Sequence, residues 1–145
     1  MKRCFFIGHR DAPGELYPRV LAAVGAYIRA NGEVEFLVGR YGRFDAMATR
    51  AVIARKQENP AVRLTQLVPY LPAKPLLPGF DGALIPPGLE FVPRRAAIVY
   101  ANQYAARTCD ALIAYAKHPA SNAWNLLAYV QPRIQRGELT LIRLT

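Results

Sequence analysis

The sequence predicts one Rossmann-like α/β domain over residues 1–145, with a doubly wound, mostly parallel sheet of five to six strands and helices on both faces. Short strand-like runs alternate with segments of helical periodicity along the whole chain. Most of these runs are continuously apolar, as is typical of parallel strands that are buried on both faces. Neither an internal repeat nor a linker divides the sequence.

The first elements follow from apolar spacing near the amino terminus. Residues 3–7 form a short apolar run that ends at Gly8, which predicts a buried strand. Apolar side chains then recur at helical spacing over residues 15–31, and Gly32 provides a stop for that helix. A second strand is predicted over residues 35–38 and ends before a loop that contains two glycines.

The second helix is predicted to begin at the end of this loop. Asp45 is a suitable N-cap residue, and the helix is expected to run to about Glu58 and to stop before Pro60. Residues 64–70 then predict a third strand. The first half of the chain therefore alternates strictly between strand and helix.

The segment 69–87 is predicted to be irregular. It contains six prolines, a density that excludes a central strand or a helix. Loops of this length within a domain are usually functional or mobile, so we expect a flap or a partner-binding surface. Residues 89–92 are predicted to form a short extended piece.

The remaining chain again alternates between helix and strand. Pro93 suits the first turn of a helix that continues to about Arg107. Ser121 or Asn122 is expected to cap a later helix. The other predicted elements are a strand over residues 110–115, a helix from residue 121 or 122 to about residue 137, and a strand over residues 139–144.

The charge balance is basic and dominated by arginine. The chain has 19 Lys+Arg against 10 Asp+Glu, a formal net charge of +9, and only four of the basic residues are lysines. The planar arginine fork suits phosphates and carboxylates, so we expect an anionic partner. A nucleotide or another phosphorylated small molecule, a nucleic acid and an acidic protein all remain open, and a GC-rich genome would produce the same arginine bias.

The sequence contains no secretion, membrane or metal-binding pattern. Cys4 and Cys109 lie in apolar strand-like runs, which predicts buried thiols in a reducing compartment. No stretch approaches the roughly 20 apolar residues of a membrane span. The two histidines and two cysteines are not spaced as a metal cluster. We therefore expect a cytoplasmic protein that uses no membrane, metal or cofactor.

Four polar or glycine-rich segments follow the predicted strands or open the next helices. In open α/β sheets, ligands bind beyond the carboxyl ends of the strands, so these segments are expected to meet. Glycines before a helix N-terminus expose N–H groups to a phosphate, and the helix dipole favours the anion. The ligand-binding residues predicted in this way are Gly8, His9, Arg10, Gly39, Arg40, Gly42, Arg43, Asp45, Arg94, Arg95, Ser121 and Asn122.

Individual residues in these segments differ in how strongly they indicate a ligand. Arg94 and Arg95 open a helix whose N-terminus would prefer acidic groups, which suggests that they serve a ligand. Asp45 fits a plain helix cap at least as well as a ligand contact. Trp124 would suit base stacking, although a single helical tryptophan more often packs in the core. The glycine spacing matches neither the dinucleotide fingerprint nor the Walker A loop.

Together the four segments resemble the SLOG superfamily, the Rossmann-like group that includes YpsA-like proteins, the DprA core domain and the LOG phosphoribohydrolases. The G-H-R start and the G-x-Y-G-x-F-D loop look like the YpsA-like branch. The stretches that carry the resemblance are F-I-G-H-R at residues 6–10, G-R-Y-G-R-F-D at 39–45, Arg94 or Arg95 with C-D-A-L-I-A-Y at 109–115, and S-N-A-W-N at 121–125.

This resemblance implies a pocket for a nucleotide derivative and a dimeric protein. LOG hydrolases carry P-G-G-x-G-T-x-x-E where residues 118–125 here read H-P-A-S-N-A-W-N, and the next acidic residue is Glu138. We therefore expect nucleotide binding or sensing without strong catalysis. Two alternatives stay open. One is a DprA-like single-stranded nucleic acid binder. The other is an N-glycosidic hydrolase for a nucleoside monophosphate, with a carboxylate recruited from Asp11, Asp45, Asp81 or Glu90.

Overall fold

A computed structural model describes residues 1–144, which fold around one six-stranded sheet. Every pair of neighbouring strands is parallel. The strands, in chain order, are β1 (Lys2–Gly8), β2 (Val34–Val38), β3 (Arg63–Leu67), β4 (Gly82–Leu84), β5 (Ala111–Tyr115) and β6 (Thr140–Arg143).

Helices connect the strands except between β3 and β4, where the chain is irregular. The four α-helices are α1 (Tyr17–Asn31), α2 (Arg43–Lys56), α3 (Arg94–Thr108) and α4 (Asn122–Gln135). Short 3-10 turns at Gly14–Leu16 and Leu89–Phe91 precede α1 and α3. The predicted Rossmann-like α/β fold is confirmed.

The strand order places a topological switch point at the middle of the sheet. Across the sheet the order is β4-β3-β2-β1-β5-β6. The chain therefore moves outward from β1 in one direction through β2 to β4, and then returns to the other side of β1 with β5. The loops after β1 and β5 separate there and leave a crevice beyond the carboxyl ends of these strands, where such folds bind ligands.

The sheet is covered by helices on both faces. Because side chains alternate along a strand, Phe6 packs with α1 and α2, whereas Phe5 and Ile7 pack with α3 and α4. Phe5 and Phe6 are each 1% exposed. Burial of both β1 faces explains why its sequence is continuously apolar. Cys4 and Cys109 are also buried, and both are free thiols, as predicted.

Three predictions about local structure are wrong. Residues 82–84 of the proline-rich segment form β4, because a short strand at the sheet edge needs a partner on one side only. Residues 89–91 form a 3-10 turn rather than an extended piece. The N-cap of α2 is Gly42, and Asp45 is the third residue of the helix. By contrast, Ser121 caps α4 as predicted.

None of the helices formed by residues 1–144 combines the length and the apolar character that a membrane crossing requires.

Candidate functional site

A cavity of about 630 Å³ lies at the switch point, beyond the carboxyl ends of the central strands. Its walls come from the ends of β1 and β3, from the loops after β1, β2, β3 and β5, from the first turns of α2 and α4, and from the amino-terminal half of α3. The predicted ligand-binding residues that the structure brings together here are Gly8, His9, Arg10, Gly39, Asp45, Arg95, Ser121 and Asn122.

The N-terminus of α4 faces this cavity with two unpaired backbone donors. Ser121 Oγ accepts a hydrogen bond from the Trp124 N–H at 3.1 Å, and Asn125 N–H bonds the Ser121 carbonyl at 2.9 Å. Asn122 and Ala123 both line the cavity, and within residues 1–144 no acceptor is bonded to their N–H groups. The first turn holds no acidic residue. These N–H groups are therefore positioned to bind an anion.

The N-terminus of α2 lies at the same sheet edge, where the protein supplies an acceptor for its first N–H group and a carboxylate in its first turn. The Arg43 N–H donates to the Arg10 carbonyl at 2.9 Å. Asp45 lies in the first helical turn, and its carboxylate accepts a hydrogen bond from the Tyr41 N–H at 3.0 Å. This arrangement resembles the part of a capping box in which the third helical residue reaches back to the preceding loop. A carboxylate here opposes binding of a phosphate.

The three predicted glycines make room for other parts of the chain. A side-chain Cβ at Gly8 would overlap the Phe44 ring, and one at Gly39 would lie 2.9 Å from Asp45 Oδ2. Gly42 has a φ of +127°, and a Cβ there would lie 2.8 Å from the Arg10 Cα. Gly42 does not line the cavity. Contacts within the protein therefore require glycine at these three positions whether or not a ligand binds, and only Gly8 and Gly39 line the cavity.

His9 connects two loops at the base of the cavity. Its side chain is buried, and its Nε2 accepts from the Lys117 N–H at 2.8 Å and the His118 N–H at 3.3 Å. Burial, followed by repulsion from the neighbouring His118, lowers the pKa of His9. A neutral ring with its proton on Nδ1 fits these contacts. His9 therefore positions the loop before α4, a role that its sequence context did not indicate.

The five predicted arginines divide into two groups. Arg10 and Arg95 line the cavity, and within residues 1–144 neither guanidinium lies in an ion pair. The other three point elsewhere. Arg40 donates to the Pro75 carbonyl at 3.4 Å, Arg94 covers the Tyr70 ring, and Arg43 is exposed outside the cavity.

Asp45 is the one carboxylate among the described residues that line the cavity. Burial raises its pKa to about 6, although the Tyr41 N–H and the positive charge of Arg10 act in the opposite direction. The other three acidic candidates lie outside. Asp81 pairs with Lys56, Glu90 lines a separate small cleft, and Asp11 follows His9 in the exposed turn.

Several cavity residues were absent from the sequence prediction. Tyr41, Tyr70, Ile98, Val99 and Asn102 all line it. The α3 residues reach the cavity because that helix packs on the face of the sheet that carries Phe5 and Ile7, which no local pattern reveals. Tyr41 lies inside the predicted glycine loop and was identifiable as an aromatic next to a helix N-terminus. Trp124 does not line the cavity, is 38% exposed and lies 5.7 Å from the Arg143 guanidinium.

Comparison with known proteins identifies a shared fold. No family model and no curated protein matches the sequence. A similar solved structure is that of DNA processing protein A from Helicobacter pylori, studied for its single-stranded DNA binding mode. The two chains share 13% identity with a TM-score of 0.57, and the similarity covers 97% of this chain and 75% of the other. At this identity the likeness establishes that the two proteins have the same α/β architecture.

Proposed function

We propose that this chain binds a nucleotide or a nucleotide derivative in the switch-point cavity, with the phosphate against the N-terminus of α4. The observation that carries the proposal is the pair of unpaired N–H groups of Asn122 and Ala123 inside a cavity of about 630 Å³. Cavities of this size are typical of small-molecule sites. The SLOG resemblance, including its YpsA-like branch, supports the same ligand class.

The charges around the cavity favour a phosphate ester. Arg10 and Arg95 line the cavity, and both are exposed, so each guanidinium is able to reach a bound anion. Arginine donors add charge-assisted hydrogen bonds to those of the helix N-terminus. The phosphate then meets backbone donors, the helix dipole and two cations, while the single carboxylate of the described cavity wall belongs to α2.

Isothermal titration calorimetry with AMP, GMP and inorganic phosphate tests this function. We expect the wild-type chain to bind the nucleotides, and Arg95→Gln to weaken that binding by about tenfold or more, because a hydrogen bond to a charged group is lost. Arg29→Gln removes the same charge from an exposed position at the end of α1 and should leave the affinity unchanged. An absence of binding by every probe contradicts the proposal.

Single-stranded nucleic acid binding is a second candidate, favoured by the fold shared with DNA processing protein A and by the net charge of +9. Fluorescence anisotropy with a labelled oligo-dT distinguishes it from nucleotide binding. A nucleic acid binder loses affinity steeply as salt rises, because each neutralised phosphate releases counterions. Oligo-dT binding that is tight, salt-dependent and lost in Arg10→Ala, together with no AMP binding, would replace our proposal.

N-glycosidic hydrolysis is a third candidate, favoured by Asp45 alone. A carboxyl whose pKa is about 6 is suited to proton donation near neutral pH. Incubation with AMP followed by chromatographic detection of free adenine tests it, with Asp45→Asn as the control. Our proposal of binding without strong catalysis predicts that no adenine accumulates.

We also propose that residues 1–145 act as one domain and that the protein self-associates as a cytoplasmic dimer. Val99, Phe91 and Tyr129 are exposed apolar side chains that an interface would cover. Light scattering across a range of concentrations checks the dimer, and a strict monomer at high concentration would contradict it.

A further inference from the structure

Two tyrosine rings form a corner in the wall of the switch-point cavity. Tyr41 comes from the loop after β2 and Tyr70 from the loop after β3, and both line the cavity. Their ring centroids lie 5.8 Å apart and their planes are nearly perpendicular, at 82°. Both side chains are partly exposed. We call this pair the tyrosine corner.

Arg94 supports the tyrosine corner from outside the cavity. Its guanidinium carbon lies 4.1 Å from the centroid of the Tyr70 ring, in a cation–π contact. Arg94 does not line the main cavity; it lines a smaller cleft of about 130 Å³ that also contains Tyr70. The contact therefore holds one face of Tyr70 in place before any ligand arrives, which reduces the entropy lost on binding.

Tyr41 is also held in position. Its backbone N–H donates to Asp45 Oδ2 at 3.0 Å, which ties the loop to the first turn of α2. The ring lies against Tyr70 rather than in either of the two buried clusters that form the core. Both rings thus have contacts that hold them in the cavity wall, and both remain partly exposed.

The tyrosine corner lies at a distance from the anion site that fits a nucleotide. The corner follows β2 and β3, whereas α4 follows β5, and β3 is three strands away from β5 in the sheet. At the usual strand spacing this separation is on the order of 14 Å. That is the scale of a nucleotide rather than of a free phosphate or a sugar phosphate.

We infer that the tyrosine corner binds the base of the nucleotide by stacking, while the N-terminus of α4 binds its phosphate. This inference rests on the proposed function and makes the base a required part of the ligand. Stacking of a base on an aromatic side chain depends on the π-face that every base offers, so the corner is expected to tolerate different bases.

Calorimetry with AMP and ribose 5-phosphate tests the inference on the full chain. We expect Tyr70→Leu to weaken AMP binding by about tenfold to a hundredfold, the range found when a stacking aromatic is removed. Binding of ribose 5-phosphate should change by less than about twofold, and Tyr70→Phe should restore AMP binding. Tyr104→Leu, at a partly exposed site outside the cavity where the ring also contacts an arginine guanidinium, is the matched control. Circular dichroism confirms that each variant is folded.

The outcomes separate this inference from the proposed function. Wild-type protein that binds AMP no more tightly than ribose 5-phosphate overturns the inference and leaves phosphate binding standing. The inference also fails, again without affecting phosphate binding, if Tyr70→Leu weakens the binding of both ligands equally. Wild-type protein that binds neither ligand overturns both the inference and the proposed function.

Discussion

The N-termini of α2 and α4 lie at the same edge of the sheet, but they differ in the charge that the protein places in their first turns. At α2, the Arg10 carbonyl accepts the Arg43 N–H and the Asp45 carboxylate occupies the first turn. At α4, Asn122 and Ala123 present unpaired N–H groups to the cavity, and the first turn carries no acidic residue. A glycine-rich loop before a helix therefore does not by itself define a phosphate site, because the helix that follows it here carries a carboxylate in its first turn.

Asn122→Asp should have the largest effect, because it gives α4 the carboxylate that α2 already has. A negative charge about 4 Å from a phosphate opposes binding by on the order of 4 kcal/mol at a partly exposed site. We expect AMP binding to be lost in calorimetry. Helix stability should stay equal or rise slightly, since an acidic residue suits a helix N-terminus. AMP affinity close to that of the wild type would place the phosphate elsewhere.

The reverse change, Asp45→Asn, should alter the pH dependence of stability. Burial raises the pKa of Asp45 from 3.8 to about 6, so the native state holds this proton more tightly than the unfolded chain does. The wild-type free energy of unfolding should therefore fall as pH rises from about 4 through 6. The asparagine variant lacks this loss and should gain at most about 3 kcal/mol relative to wild type over that window.

Urea denaturation at pH 4 and pH 7 measures this difference. The side-chain oxygen of asparagine can still accept the Tyr41 N–H, so the comparison isolates the charge. An Asp45→Asn variant whose stability relative to wild type is the same at both pH values would show that ionisation of Asp45 does not destabilise the native state.

Arg10 has two roles, a backbone hydrogen bond to the first residue of α2 and a side chain that lines the cavity, and Arg10→Ala separates them. The backbone carbonyl that accepts the Arg43 N–H is kept, whereas the guanidinium that lines the cavity is lost. We expect the free energy of AMP binding to become less favourable by about 1.5–3 kcal/mol, with little change in thermal stability. Arg43→Ala removes the same charge from outside the cavity and should bind AMP like wild type. Equal losses in the two variants would indicate a general charge effect.

Removing the N-cap of α4 should have the smallest effect on the free energy of unfolding. Ser121→Ala removes the hydrogen bond to the Trp124 N–H and should lower the free energy of unfolding by about 1 kcal/mol. Ser121→Asp keeps a capping oxygen but adds a negative charge, so it should retain stability and lose AMP affinity. Thermal unfolding and calorimetry on both variants distinguish helix capping from anion binding. Unchanged affinity in Ser121→Asp would argue against a phosphate at this helix.

The sequence was sufficient to predict the order of the major elements. Most strands are apolar on both faces, and each helix is marked by apolar residues at helical spacing or by the residues that begin and end it. The sequence did not reveal β4, since three residues beside prolines at a sheet edge have no periodicity. It narrowed the cap of α4 to Ser121 or Asn122 because capping is a local interaction, and the structure assigns it to Ser121.

The cavity was only partly predictable from the sequence. The carboxyl ends of parallel strands meet by topology, so the cavity location and eight of the twelve predicted residues follow from the strand pattern. What fills the space beside a glycine depends on distant residues: Phe44 beside Gly8, and Arg10 beside Gly42. The same holds for choosing Arg95 over Arg94, because neighbouring helical residues point in different directions and the packing of α3 decides which of them faces the cavity.

Titration of ¹⁵N-labelled protein with AMP, followed by amide chemical shifts, tests most directly whether α4 rather than α2 holds the phosphate. We predict that the N–H resonances of Asn122 and Ala123 show the largest downfield shifts, because they form new hydrogen bonds to the phosphate. The N–H resonances of Phe44 and Asp45 in α2 should move little. The largest shifts at Phe44 and Asp45, with those of α4 unchanged, would contradict this assignment and place the phosphate at the helix whose first turn carries the Asp45 carboxylate.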